Sequence, residues 1–292
     1  MNKIVQTLSI SLLLSVQALT LGCSSSSNSI EQLVLAEPLT VNYKHEVAIA
    51  RLTEVILRAK VTDGERAQFY YDRGVIYDSV GLSSLARLDF TLALRLKPDL
   101  VNAYNFLGIQ FTQRQEFIQA YESFDSAIEL SPGHEYAYLN RGIALYYGGR
   151  AELALADLTY FHKNKTSDPY RALWMYFSEK NINEEQAKLH LKETLARVKD
   201  TEWAKNIMLL YVGELSESAL LADMTVGIDS NKKLAERLCE VYFYLGKYNQ
   251  YQGNIKVAEN YFKLSLATNV YEFVEHRYAR LELDLMASIS AH

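Results

Sequence analysis

The sequence has few prolines and no block of positive charge. Its 292 residues include four prolines, at Pro38, Pro98, Pro132 and Pro169. Each proline lies between two apolar-periodic runs and interrupts neither, which favours an all-helical chain. The formal net charge is −5, and neither a zinc-finger spacing nor an RNA-binding signature occurs. We therefore expect no nucleic-acid partner, because nothing supplies the basic surface that phosphates require.

Motifs for catalysis and cofactor binding are also missing. The sequence contains no phosphate loop, GxGxxG, GxSxG, HExxH or CxxC. The nearest constellation is Glu272, Glu275, His276 and Arg280, whose spacing places them on one helical face. We interpret it as a polar helix surface, because the segment offers neither a nucleophile nor a metal partner. We expect no enzyme activity, no cofactor and no metal site, and we expect Cys239 to be a small core residue.

The first 22 residues have the composition of an export signal. Lys3 supplies a positive start, and residues 4–21 form an apolar stretch diluted by serine and glutamine. The alternative is a membrane-spanning helix, which needs about 20 predominantly apolar residues. This segment is too polar for that role.

The end of this segment, Leu21-Gly22-Cys23, resembles a bacterial lipobox, with Thr20 where a leucine is usual. We predict cleavage before Cys23 and a lipid on its thiol, with the following serine-rich tract as a flexible tether. Ser24 after the cysteine resembles lipoproteins forwarded to the outer membrane. The alternative is ordinary cleavage near Ala18, which leaves Cys23 as a free thiol.

A 34-residue period organises the chain. Gly74, Gly108 and Gly142 recur at this interval, which is the period of tetratricopeptide repeats. The marker positions of the first repeat are all filled, by Tyr70, Gly74, Tyr77, Gly81, Ala86, Phe90, Ala93 and Pro98. A fourth copy surrounds Gly246. The predicted fold is all-α, a tetratricopeptide-type helix-turn-helix solenoid with flanking N- and C-terminal helices.

These patterns divide the chain into seven segments. The predicted segments are a removed signal peptide at 1–22, a lipidated cysteine with its flexible tether at 23–42, an N-terminal helix at 43–66, three repeats at 67–168, degenerate repeat-like helices at 169–238, a fourth repeat at 239–270 and a C-terminal helix at 271–292. The N-terminal helix either caps the solenoid or contacts a second subunit through its apolar stripe.

The first helices of the repeats are expected to line a concave groove. In tetratricopeptide proteins, positions two, five, nine and twelve of each first helix face this groove. The predicted lining residues are Gln68, Tyr71, Val75, Asp78, Asn102, Asn105, Ile109, Thr112, Tyr136, Leu139, Ile143 and Tyr146. Tyrosines with amide groups suit a bound polypeptide segment. The alternative is that the chain's own later helices cover part of this surface.

Longer stretches carry a closer resemblance. Residues 65–68, 73–79, 139–150 and 273–279 are similar to the NlpI-like outer-membrane lipoproteins of gammaproteobacteria. The resemblance implies a lipid-anchored homodimer that faces the periplasm. It also implies an adaptor that brings peptidoglycan hydrolases, such as an endopeptidase, to a periplasmic processing protease and so regulates cell-wall turnover.

Composition and spacing by themselves predict a tethered protein-binding scaffold. The resemblance favours the adaptor, and the alternative is a structural scaffold or assembly factor for another envelope complex. An enzyme with an unrecognised site is the third hypothesis, and the absence of catalytic motifs from the sequence disfavours it.

Overall fold

The chain folds as a succession of antiparallel helical hairpins, which confirms the predicted all-α solenoid. The computed structural model describes residues 34–290, and this part of the chain contains fourteen helices and no strand. The helices are α1 (Tyr43–Arg58), α2 (Asp63–Ser79), α3 (Ser83–Leu96), α4 (Val101–Gln113), α5 (Phe117–Leu130), α6 (Glu135–Tyr147), α7 (Ala151–Lys163), α8 (Pro169–Lys180), α9 (Glu184–Leu195), α10 (Lys205–Val212), α11 (Glu217–Asp223), α12 (Asn231–Tyr251), α13 (Ile255–Leu266) and α14 (Val274–Ser290). The predicted signal peptide, Cys23 and the start of the predicted tether lie outside the described residues.

The marker glycines allow the two helices of each hairpin to approach closely. A methyl group added to Gly108 would lie 2.5 Å from the Phe124 ring, well inside van der Waals contact. The same relation recurs sixteen residues apart in the other repeats, as Gly74 with Phe90, Gly142 with Leu158 and Gly246 with Phe262. The recurring glycine and the large apolar residue opposite it are therefore one packing unit.

Two of the hairpins are also held together by a buried ion pair. The Arg73 guanidinium donates to both carboxylate oxygens of Asp89, at 2.7 and 2.8 Å. Arg141 and Asp157 make the same bidentate contact two repeats later, again at 2.7 and 2.8 Å. In the second repeat the equivalent positions are Leu107 and Ser123. Because this hairpin lacks the ion pair, its closure depends more heavily on the contact between Gly108 and Phe124.

The turn inside each of the four repeats has one residue with a left-handed backbone. In the first, third and fourth repeats this residue is a glycine, at Gly81, Gly149 and Gly253. In the second repeat it is Gln115, with φ of 62°. The left-handed backbone costs more energy for a residue with a Cβ, such as Gln115, than for glycine.

The helices between the third and fourth repeats bury several large aromatic side chains. Nine of the twelve residues of α8 are buried, among them Trp174 and Phe177. Helix α12 is 21 residues long and buries eleven of them. It also provides the first helix of the fourth repeat, so the predicted segment boundary between residues 238 and 239 falls inside one continuous helix and is wrong. The periodic run continues without a break across that point, from Ala235 to Tyr242.

The segment before α1 is attached to the C-terminal part of the chain. The Leu39 N–H donates to the Thr268 carbonyl at 3.0 Å. The Asn231 side chain accepts from the Glu37 N–H at 3.0 Å and donates to the Glu37 carbonyl at 2.9 Å. The prediction of a flexible tether extending to residue 42 is therefore wrong for residues 37–39, because these contacts and the packing of Leu39 on the core fix the segment.

We predict that Gly108→Ala lowers the free energy of unfolding by about 1–3 kcal/mol, because the added methyl group overpacks the contact with Phe124. Urea denaturation measures this change. The control is Gly133→Ala, where nothing lies within 4 Å of the added methyl group. Equal stabilities of the two variants would contradict the packing role of the marker glycines.

Candidate functional site

The twelve predicted groove residues lie on α2, α4 and α6, the first helices of the three repeats, and we call the surface they form the inner face. They differ widely in exposure. Six are buried, namely Asp78, Asn105, Ile109, Thr112, Leu139 and Ile143. Tyr71, Val75 and Tyr146 are half-buried, and Gln68, Asn102 and Tyr136 are exposed. The exposed residues are all at positions two of the repeats, so only the N-terminal ends of these helices are open to solvent.

Helix α14 covers the C-terminal end of the inner face. The Arg277 guanidinium donates to Asp78 of α2 at 2.5 Å, and the Gln110 amide donates to the same carboxylate at 2.6 Å. The Tyr278 ring stacks on Tyr147 with centroids 5.3 Å apart. The alternative noted from the sequence, that later helices cover part of the groove, therefore applies to positions twelve of the repeats.

A buried ion pair joins α12 to α14 beneath this contact. Lys247 Nζ lies 2.6 Å from Glu282 Oε1, and the two side chains are only 3% and 2% exposed. Burial alone would lower the pKa of Lys247, but the charge and hydrogen bond of Glu282, together with Tyr251, outweigh this effect and raise that pKa. Lys247 is therefore charged at neutral pH.

Three further groups complete the hydrogen bonding of this pair. The Tyr147 hydroxyl donates to Glu282 at 2.8 Å, and the Gln250 amide donates to its other oxygen at 2.9 Å. Lys247 also donates to the Tyr146 hydroxyl at 2.9 Å. Tyr146, predicted to line an open groove, is thus part of an internal network that ties α6 to α12 and α14.

The open part of the inner face is a strip of polar and aromatic side chains. We use the name open strip for Gln68, Tyr71, Asn102, His134 and Tyr136. His134 accepts from the Ala137 N–H through Nδ1 at 3.0 Å, so its Nε2 carries the proton and donates to Asn102 at 2.8 Å. This hydrogen bond fixes the Asn102 amide, while the Tyr136 ring stays 53% exposed.

A cavity of about 330 Å³ begins at Tyr136, and we call it the aromatic–acidic pocket. It lies among α6, α7, α8, α12 and the start of α14. Its lining residues are Tyr136, Leu139, Phe161, Asp168, Tyr170, Arg171, Trp174, Glu240, Glu272, Phe273, Val274 and Glu275. Only Tyr136 and Leu139 of these were predicted as groove residues. The other residues come from separate helices with no shared spacing, although Glu240 stands out as a charge inside the apolar run of α12.

The histidine of the sequence constellation is buried and hydrogen-bonded inside the fold. His276 is 8% exposed, and its Nε2 donates to the Leu266 carbonyl at 3.2 Å. Burial lowers the pKa of His276 to about 4, which leaves the ring neutral. The expectation of a polar helix surface is wrong for Glu275 and His276, both of which are buried, whereas Glu272 and Arg280 are exposed.

The remaining chemistry of the described residues is sparse. No group of three or more His, Cys, Asp or Glu side chains within residues 34–290 is arranged to hold a metal ion. Cys239 is fully buried, and burial raises the pKa of its thiol to about 12. The thiol is therefore protonated and packs as a core residue. None of the helices that the structure describes is both long and apolar enough to span a bilayer.

Comparison with solved structures places the fold among tetratricopeptide proteins. A tetratricopeptide repeat protein from Parabacteroides merdae matches 84% of this chain and 100% of its own length, with a TM-score of 0.51 and 14% identity. MamA matches 53% of this chain and 83% of its own, with a TM-score of 0.48 and 18% identity. YrrB matches 74% of this chain and 90% of its own length, with a TM-score of 0.42 and 16% identity. No protein-family model matches the sequence. At these identities the likeness shows only the fold, and this conclusion rests on the match to the Parabacteroides merdae protein.

We predict that Lys247→Met lowers the free energy of unfolding by about 3–5 kcal/mol, because it leaves the Glu282 charge buried without its partner. Adding Glu282→Leu to this variant restores part of the loss, since no unpaired charge remains. Urea denaturation of the two single variants and the double variant measures the coupling between the residues.

The matched control is Lys263→Met. Lys263 is paired with Glu259, but both side chains are well exposed, so the expected loss is under about 1 kcal/mol. Additive losses in the Lys247 and Glu282 variants would contradict a coupled pair.

Proposed function

We propose that this protein is a membrane-tethered, protein-binding adaptor whose binding surface is the open strip. The observation that carries the proposal is the division of the inner face. Helix α14 covers one end, while the other end presents amide and aromatic side chains from consecutive repeats to solvent. Rigid aromatic rings next to fixed amides suit recognition of a polypeptide segment through stacking and hydrogen bonds.

The partners we propose are peptidoglycan hydrolases and a periplasmic processing protease. Support comes from the resemblance of residues 65–68, 73–79, 139–150 and 273–279 to NlpI-like lipoproteins. Lipidation of Cys23 would anchor the chain to the outer membrane and hold the open strip in the periplasm. An adaptor of this kind acts by raising the concentration of protease and substrate near each other, and so limits cell-wall cleavage.

The proposal includes a homodimer formed through α1. One side of this helix is a shallow apolar depression of about 390 Å³, lined by Tyr43, Lys44, Val47, Ala48, Arg51, Leu52 and Val55. The Tyr43 and Val47 side chains are exposed there. A second copy would bury this apolar stripe symmetrically. Light scattering of the purified chain tests this part, and a single-chain mass would contradict it.

We predict that the immobilised full-length chain, in detergent, retains a protease together with a cell-wall endopeptidase from a periplasmic extract. Tyr136→Ala with Asn102→Ala should weaken retention of at least one of them roughly tenfold, because both side chains belong to the open strip and Tyr is a frequent hot-spot residue. Tyr146 is unsuitable as a probe, since its hydroxyl contacts Lys247 in the interior.

The control for this experiment is Tyr160→Ala. Tyr160 is an exposed tyrosine on α7, a second helix of a repeat, and lies outside the inner face. Retention only of components from another envelope machine would favour the structural-scaffold alternative. Unchanged retention by the Tyr136, Asn102 variant would exclude the open strip as the binding surface.

A further inference from the structure

The aromatic–acidic pocket is lined by more acidic than basic side chains. Four of its lining residues are acidic, Asp168, Glu240, Glu272 and Glu275, whereas Arg171 is the only basic one. Arg171 is already committed, because it donates to Glu135 at 2.9 Å and to the Phe161 carbonyl at 2.6 Å. Asp168 is itself ion-paired with Lys165 at 3.0 Å, which leaves Glu240, Glu272 and Glu275 as the acidic wall of the pocket.

Two of these carboxyl groups are partly or wholly removed from water, since Glu240 is half-buried and Glu275 is buried. Glu275 is 6% exposed, and the group that donates to it is the Tyr244 hydroxyl at 3.0 Å. Glu240 accepts from the Tyr170 hydroxyl. Arg237 lies one turn earlier on α12, and its positive charge lowers the pKa of Glu240. The Arg237 guanidinium also stacks over the Trp203 ring, 4.1 Å from the ring centroid. A buried carboxylate without a paired cation is costly.

The two carboxyl groups also repel each other. Burial, followed by the charge of Glu275, raises the pKa of Glu240, and burial raises the pKa of Glu275. A cation bound near both groups would lower these pKa values and so favour the charged carboxylates. The pocket is thus prepared for positive charge by burial and by the proximity of like charges.

The other walls of the pocket are aromatic. Trp174 and Tyr170 of α8, Phe161 of α7 and Phe273 before α14 join Tyr136 around the cavity. Aromatic faces attract cations, and the methylene stems of lysine and arginine pack well on apolar surface. A volume of about 330 Å³ lies at the small end of ligand pockets, which suits one long side chain.

We propose that the aromatic–acidic pocket receives a lysine or arginine side chain of the polypeptide bound along the open strip. The inference rests on the proposed function and names the chemistry of the partner. Tyr136 belongs to both surfaces, so a segment lying on the strip reaches the pocket without a break. Charge complementarity then selects partners that carry a basic residue at this place.

The test uses the full-length chain in detergent with two small probes, Nα-acetyl-arginine amide and its neutral isostere Nα-acetyl-citrulline amide. The chain has two tryptophans, and the indole NMR signal of Trp174 reports on the pocket once a Trp203→Phe variant has assigned it. We expect saturable binding of the arginine probe and at least tenfold weaker binding of the citrulline probe.

The variant that tests the acidic wall is Glu240→Gln with Glu275→Gln. It keeps the size of both side chains, and its thermal unfolding checks that the fold is unchanged. We expect it to bind the arginine probe at least tenfold more weakly than the unaltered chain. Glu152→Gln, an exposed acid at the start of α7, serves as the control and should bind the probe normally.

Equal responses to the two probes, no saturable response, or full binding by the double variant would each overturn the inference. If the arginine probe fails to bind while the chain still retains its protein partners, the inference falls and the adaptor function stands. If the probe binds but no protein partner is retained, the cation site is supported and the adaptor function falls.

Discussion

The buried ion pair between Lys247 and Glu282 connects parts of the chain that are far apart in sequence. Tyr147 of the third repeat, Lys247 of the fourth and Glu282 of the C-terminal helix meet in one hydrogen-bonded network. Removal of either charge leaves the other buried and unpaired, so the network is stable only when all three elements are in place. The position of α14, and with it the shape of the inner face, depends on this constraint.

This position of α14 divides the inner face into two parts with different roles. At positions twelve of the repeats, Asp78 contacts Arg277 of α14 and Tyr146 contacts Lys247 of α12. At positions two, Gln68, Asn102 and Tyr136 remain open to solvent. The start of α14 also contributes Glu275 to the aromatic–acidic pocket. One helix therefore closes one end of the groove and completes the aromatic–acidic pocket near the other.

Much of the fold could be predicted from sequence because its repeated contacts are local. A glycine and the apolar residue sixteen positions later, such as Gly108 and Phe124, recur in each repeat and form each hairpin. The site could be predicted only in part. Repeat spacing identified Tyr136 and Leu139, but Glu240 and Trp174 reach the pocket through packing between distant helices. Likewise, the pairing of Tyr147 with Glu282 spans 135 residues and leaves no periodic signal.

The most direct test of this account is amide hydrogen exchange of residues 274–290 in the full-length chain. If the ion pair holds α14 on the inner face, its amides should exchange as slowly as those of α12, because both would open only in global unfolding. Rapid exchange of α14 while α12 stays protected would contradict the account. The inner face would then be open along its whole length, and the division of the groove would not exist in solution.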